Sequence, residues 1–112
     1  MRKLMLLVLS AALTLPLMAA DRSFNNVPVV DVKCSQKAAA DPDAHTRACL
    51  LMCQESGFGI VTEGHQIIKF DKEGNARVLE ALKNSQKKDH LRVDVSGDVE
   101  SDTLKVKTIK LL

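Results

Sequence analysis

All three cysteines fall within twenty residues, with one histidine among them, in the spacing Cys34-x10-His45-x3-Cys49-x3-Cys53. A thiolate-rich set with one imidazole suits zinc or copper, which both take sulfur and nitrogen donors. Cys49 and Cys53 are four residues apart, so on a helix their Cβ atoms stand roughly 5–6 Å from each other, whereas a disulfide needs about 3.5–4.5 Å. They are therefore not expected to bridge each other, but both sulfurs can grip one ion, as residues four apart do in helical metal motifs. Cys34 arrives from outside that helix and can either complete a metal site or form a disulfide with Cys49 or Cys53. Eight residues of regular helix would hold the Cα of His45 about 12 Å from that of Cys53, so His45 is a ligand only if the helix begins after it. The candidate metal set is thus Cys34, His45, Cys49 and Cys53.

Three uses of these residues compete: a metal site, a structural disulfide that strands one thiol, and unpaired buried cysteines. The odd count keeps the metal in play, because in an oxidising compartment a single disulfide leaves a thiol over. Thiol–disulfide exchange is a weaker fit. That chemistry favours Cys-x-x-Cys at a helix start, and here the spacing is Cys-x-x-x-Cys inside one.

The remaining candidates point to no reaction. His65 and His90 flank strands, where a lone histidine is normally just solvated. Met52, beside Cys53, offers copper a soft thioether but more commonly such a residue fills a core gap. Lys87-Lys88 suits the negative end of a helix dipole. Gly57 and Gly59 follow a helix and precede a strand, the reverse of a phosphate loop. Neither a Ser/His/Asp arrangement nor a paired-carboxylate site is recognisable, so no catalytic residue is assigned and the chain is not read as an enzyme.

The compartment follows from the first twenty residues. Arg2 and Lys3 form a charged start, Leu4 to Leu17 an apolar run interrupted by Ser10, Thr14 and Pro16, and Ala19-Ala20 a small-residue exit, which together read as a secretory signal cut after Ala19 or Ala20. The apolar run is shorter than the roughly 20 residues of a membrane-spanning helix, so no stable anchor is expected after cleavage. The mature protein is expected in a periplasm or secreted. Losing residues 1–20 removes two of the 16 basic residues and leaves 14 against 14 acidic ones. A neutral chain has no long-range field to gather phosphates, and three scattered Phe with no Trp or Tyr make no stacking platform. Nucleic acid is not an expected partner; a protein or small ligand is.

These residues need elements to position them. Residues 21–26 are polar and read as a flexible N-terminal segment, with one domain over 27–112. Val27 to Val32 is β-branched and reads as a strand, with Pro28 pushing its start to a sheet edge. Cys34 to Ala40 reads as a loop, and Asp41-Pro42-Asp43 as the start of a helix over about Ala44 to Ser56 that Gly57 ends. Phe58–Thr62 and His65–Phe70 form a hairpin around Glu63-Gly64. After a loop at Asp71–Gly74, Asn75 caps a second helix with Val78, Leu79 and Leu82 on one face. Leu91 to Val99 and Leu104 to Ile109 alternate with period two around a turn at Glu100-Ser101-Asp102, a closing hairpin whose Val93, Val95, Leu104 and Val106 face the core. The fold class is α+β and mostly β: a small OB-like five-stranded barrel with a Cys-bearing helix after the first strand and a second helix before the closing hairpin, with a split α+β sandwich as the alternative.

The pattern resembles the small exported bacterial domains of unknown function with an OB-like barrel. They carry an Asp-x-x-Cys element at the end of the first strand, a downstream His/Cys/Cys helix and a closing Val-x-Gly-x-Val hairpin. Here these correspond to Asp31-Val32-Lys33-Cys34, to His45, Cys49 and Cys53, and to Val95-Ser96-Gly97-Asp98-Val99. The resemblance spans Val30 to the C-terminus and departs at Val27-Pro28-Val29-Val30, where the pattern has a longer, glycine-bearing run. It implies an OB-like fold and brings no reaction. The expectation is an exported OB-like binding domain held together by its Cys/His cluster through a metal or a disulfide, with copper or zinc handling and thiol redox chemistry as its rivals.

Overall fold

The computed structural model describes residues 20–112, so residues 1–19 of the expected leader lie outside the described residues. Five strands are present: β1 (Ala20–Asp31), β2 (Phe58–Val61), β3 (Ile67–Phe70), β4 (Arg92–Glu100) and β5 (Thr103–Leu111). They close into a barrel in the order β1-β2-β3-β5-β4. Every pairing is antiparallel except β3 with β5, which meet in parallel at Lys69↔Thr103 and Phe70↔Leu104. The expected OB-like architecture is the one observed. Three α-helices accompany it: α1 (Ser35–Ala38), α2 (Arg47–Met52) and α3 (Lys72–Asn84). None of the helices among the described residues is long and apolar enough to cross a membrane.

Closure depends on β1, which is longer than its apolar run. Residues 21–26, expected to be flexible, are strand: they pair with β4 from Ala20↔Val99 to Phe24↔Val95. Their polar side chains point outward and only Phe24 is buried, so composition concealed the ladder. Between Phe24 and Val27 the register shifts, and Asn26 takes a positive φ of 51°. A bulge of this kind bends a strand, and beyond it β1 passes to β2, pairing Val29↔Ile60 through Asp31↔Phe58. Pro28 stands beside this irregularity rather than at the strand's start. A residue with no N–H is tolerated there.

Alternation in β4 and β5 does what the sequence requires of it. Val93, Val95, Leu104 and Val106 are all buried and join Val29, Phe58, Ile60, Phe70, Val78 and Leu82 in one aliphatic and aromatic core. α3 begins earlier than expected: Asp71, not Asn75, is its cap, accepting the Gly74 N–H at 2.9 Å, so the expected loop at Asp71–Gly74 is the helix's first turn. Only glycine fits at 74, since a Cβ there would lie 2.4 Å from Val106 Cγ2. Asn75 is thereby released for another task, accepting the Phe58 N–H at 2.8 Å and fixing where β2 starts.

Candidate metal centre

The long connection between β1 and β2 carries every cysteine, and its two ends lie side by side. Antiparallel pairing runs past Asp31↔Phe58: Val32 N–H donates to the Gly57 carbonyl at 2.9 Å, and Lys33 N–H to Ser56 Oγ at 3.2 Å. The same Ser56 hydroxyl donates to the Cys53 carbonyl at 2.8 Å. Gly57, at φ 83°, makes the turn from the last helical residues into β2 that a side chain would resist. This register carries Cys34, just beyond β1, to Cys53, just before β2.

Between these ends the connection is a series of short turns. The single helix expected over 44–56 is instead a 3-10 turn at Pro42–Ala44, the six-residue α2, and a second 3-10 turn at Gln54–Ser56. The cause lies in competing caps. Asp41 makes no side-chain capping bond, whereas Thr46 Oγ1 accepts the Cys49 N–H at 3.2 Å, so the helix starts after His45. The Cys34–Ala40 stretch, expected as loop, contains α1, whose Ala38 packs on Val30 and Val61 as a second small cluster. Leu50 of α2 is fully buried in the main core and sets the helix against the barrel. Asp43 holds the 3-10 turn to β4 through two 2.8 Å bonds from the Arg92 guanidinium.

Asp31 is at the centre of the cluster. It is the buried charged side chain of the described residues, 0% exposed at the last position of β1. Removing a carboxylate from water costs several kcal/mol unless partners replace the lost hydration. Its Oδ2 accepts the Cys34 N–H at 2.9 Å, and its Oδ1 contacts His45 Nε2. A carboxylate oxygen of Asp31 and the sulfurs of Cys34 and Cys53 all lie within 4.8 Å of one another. Two sulfurs bound to one tetrahedral zinc at about 2.3 Å stand roughly 3.8 Å apart, so the two sulfurs need to close by about an ångström or less. Cys34 and Cys53 are each half-buried.

The expected set is therefore divided. Cys34 and Cys53 come together; Cys49 does not, because it is exposed on α2 and outside the group. Pairing Cys49 with Cys53 on one ion is corrected by where α2 ends: Cys53 is its C-terminal cap and turns to the β1 side. His45 lies outside the helix, as a ligand there must, but its Nε2 is engaged by Asp31 and it stands outside the three-donor group. Its position is that of a histidine orienting a ligating carboxylate. Asp31 is the donor that residue spacing missed. The signal was an acid ending a β-branched strand three residues before a cysteine, Val29-Val30-Asp31, where a charge has no reason to be buried without a partner.

Electrostatics favour a cation. The Asp31 carboxylate, then burial, then the neighbouring Cys53 push the Cys34 thiol above its ordinary value. That is the opposite of the activation a nucleophilic cysteine needs. A divalent ion between the donors would reverse it, attracting the carboxylate and drawing protons off both thiols. His45 Nε2 contacts the Asp31 carboxylate, so that nitrogen is not placed as the base of a Cys–His pair. Compared with family models, curated proteins and solved structures, the chain matches none, and its chemistry is read from this geometry.

Proposed function

We propose that this chain is a small exported binding domain of OB type, not an enzyme, in which Asp31, Cys34 and Cys53 hold one thiophilic ion, zinc or copper, with His45 orienting the carboxylate. The observation that carries this reading is the meeting of three donor atoms within 4.8 Å on a fully buried carboxylate. The ion ties the 26-residue span from Val32 to Gly57 to the end of β1, and so braces the barrel at the short β1–β2 pairing, Val29↔Ile60 to Asp31↔Phe58. A domain of this size commonly needs such a staple. The charged, apolar and small-residue succession of residues 1–20 supports a periplasmic or secreted location. Its resemblance to small exported OB-like domains points the same way. The barrel face and loops are left for a small ligand or protein partner. The neutral mature chain speaks against nucleic acid.

A second reading, metal handling, is favoured by one feature. Three protein donors leave a fourth position for water or an incoming ligand, the arrangement of sites that exchange rather than lock their ion. Native mass spectrometry of protein purified from the cell envelope tests both. One bound zinc or copper per chain, lost in Cys34→Ser and Cys53→Ser and kept in Cys49→Ser, is the expected result. A chain carrying no ion after loading under reducing conditions would overturn the metal.

A further inference from the structure

The two sulfurs that the metal reading uses are also the two best placed to bond to each other. The Cys34 and Cys53 sulfurs lie within 4.8 Å, each at a junction between elements: Cys34 between β1 and α1, Cys53 between α2 and the following 3-10 turn. Cys49 sits one helical turn before Cys53, with the Cys53 N–H donating to its carbonyl at 3.2 Å. That regular turn holds their Cβ atoms too far apart to bridge. Beside Cys34 a surface cleft of about 380 Å³ is lined by Val32, Lys33, Ser35, Gln36 and Lys37 as well as Cys34 itself. Cys34 thus borders a cleft flanked by two exposed lysines, Lys33 and Lys37.

We propose that Cys34 and Cys53 form a dithiol–disulfide couple, oxidised by small carboxylate-bearing disulfides that enter the lysine-flanked cleft, and that oxidation releases the ion. The second part rests on the metal reading; the first does not. In the first step the small fraction of Cys34 that has lost its proton to solvent, kept small by the Asp31 carboxylate so that the exchange is slow, attacks one sulfur of the incoming R–S–S–R. A mixed disulfide forms and one RS⁻ leaves, taking up a proton to become RSH. The Cys53 sulfur, also deprotonated, then attacks the Cys34 sulfur and displaces the second RS⁻, which is protonated likewise. Two cysteine thiols are oxidised, one external disulfide is reduced to two thiols, and no other electron acceptor is needed. The resulting protein disulfide has no thiolate to offer a metal, so the ion departs while the connection stays tied to β1 by the new bond.

The test uses the mature protein, reduced and either metal-free or loaded with zinc alone, and treats it with oxidised glutathione or with the cationic disulfide cystamine. Peptide mapping is expected to find a Cys34–Cys53 bridge with Cys49 still open to alkylation, and the same bridge in Cys49→Ser. Zinc release, read with a chromogenic chelator, is expected to match bridge formation one for one. The double variant Lys33→Ala/Lys37→Ala is expected to slow oxidation by glutathione disulfide roughly tenfold at low salt without slowing cystamine. A bridge involving Cys49, a mixed disulfide that Cys53 fails to resolve, or full retention of zinc by the bridged protein would overturn the proposal. A protein that takes no zinc yet forms the Cys34–Cys53 bridge upholds the couple and overturns the metal reading.

Discussion

Replacing Cys34 by serine should remove the staple whichever bond it makes, and its size can be worked from the chain. A disulfide from Cys34 to Cys53 closes a loop of 20 residues counting both ends. The chain-entropy relation gives about 3 kcal/mol for a loop of that length at 25 °C. An ion held by the same residues and supplied at one hundred times its dissociation constant contributes roughly 2.7 kcal/mol by mass action. The two routes are nearly equal, so the size of the loss does not distinguish them, but chelator and reductant do. For a domain of this size each kcal/mol moves the melting midpoint by about 4–8 °C, so Cys34→Ser should melt roughly 11–24 °C below the bridged or zinc-loaded parent. It should match the parent once that is reduced and stripped with chelator. Circular dichroism melts of parent, Cys34→Ser and Cys49→Ser, each oxidised, zinc-loaded and reduced with chelator, supply the comparison. Cys49→Ser is expected to follow the parent throughout, since its thiol is exposed and outside the group. A Cys34→Ser protein that melts with the oxidised and zinc-loaded parent would refute the idea that this cluster holds the domain together.

Leu50→Ala should cost about 3 kcal/mol, because the side chain is fully buried and a cavity replaces it; it should also weaken zinc binding, since α2 positions Cys53. A loss under 1 kcal/mol in urea unfolding would mean α2 is not anchored by that residue. Asp43→Asn should cost about 1–2 kcal/mol at neutral pH by breaking the paired bonds from Arg92, both residues being less than a third exposed. The Arg92 guanidinium holds the Asp43 carboxyl below its ordinary value, so its contribution is complete above the unfolded pKa near 4 and disappears as pH falls through the lowered folded value. Urea melts of the two proteins should converge as the pH is taken below that range; a gap undiminished in strong acid would place the effect elsewhere. N-terminal sequencing of the exported protein should begin at Ala20 or Asp21, and an intact Met1 in the envelope fraction would reject the secretory reading.

Local pattern alone was enough for much of this molecule. Period-two alternation in Leu91–Val99 and Leu104–Ile109 determines which side chains enter the core, because successive strand residues face opposite sides whatever surrounds them. The same holds for the β2–β3 hairpin and for the apolar stripe of α3, and five strands with one helix before the closing pair fit a barrel or a split sandwich, between which strand closure decided. The clustering of Cys34, His45, Cys49 and Cys53 likewise marked the chemistry. Boundaries were another matter where near-equal local signals compete: Asp41 and Thr46 are both good caps, as are Asp71 and Asn75, and only the bonds made in the fold chose between them. The same is true of Asp21–Asn26, whose polar side chains gave no hint that the backbone would complete a ladder with β4. The site itself was decided by tertiary structure. Asp31↔Phe58 joins residues 27 apart, and that pairing brings Cys34 to Cys53, leaves Cys49 in solvent and buries the carboxylate between them. Spacing along a chain reports neighbours within a turn of helix or a pleat of strand, whereas a metal or a disulfide joins atoms that the strand register has brought together.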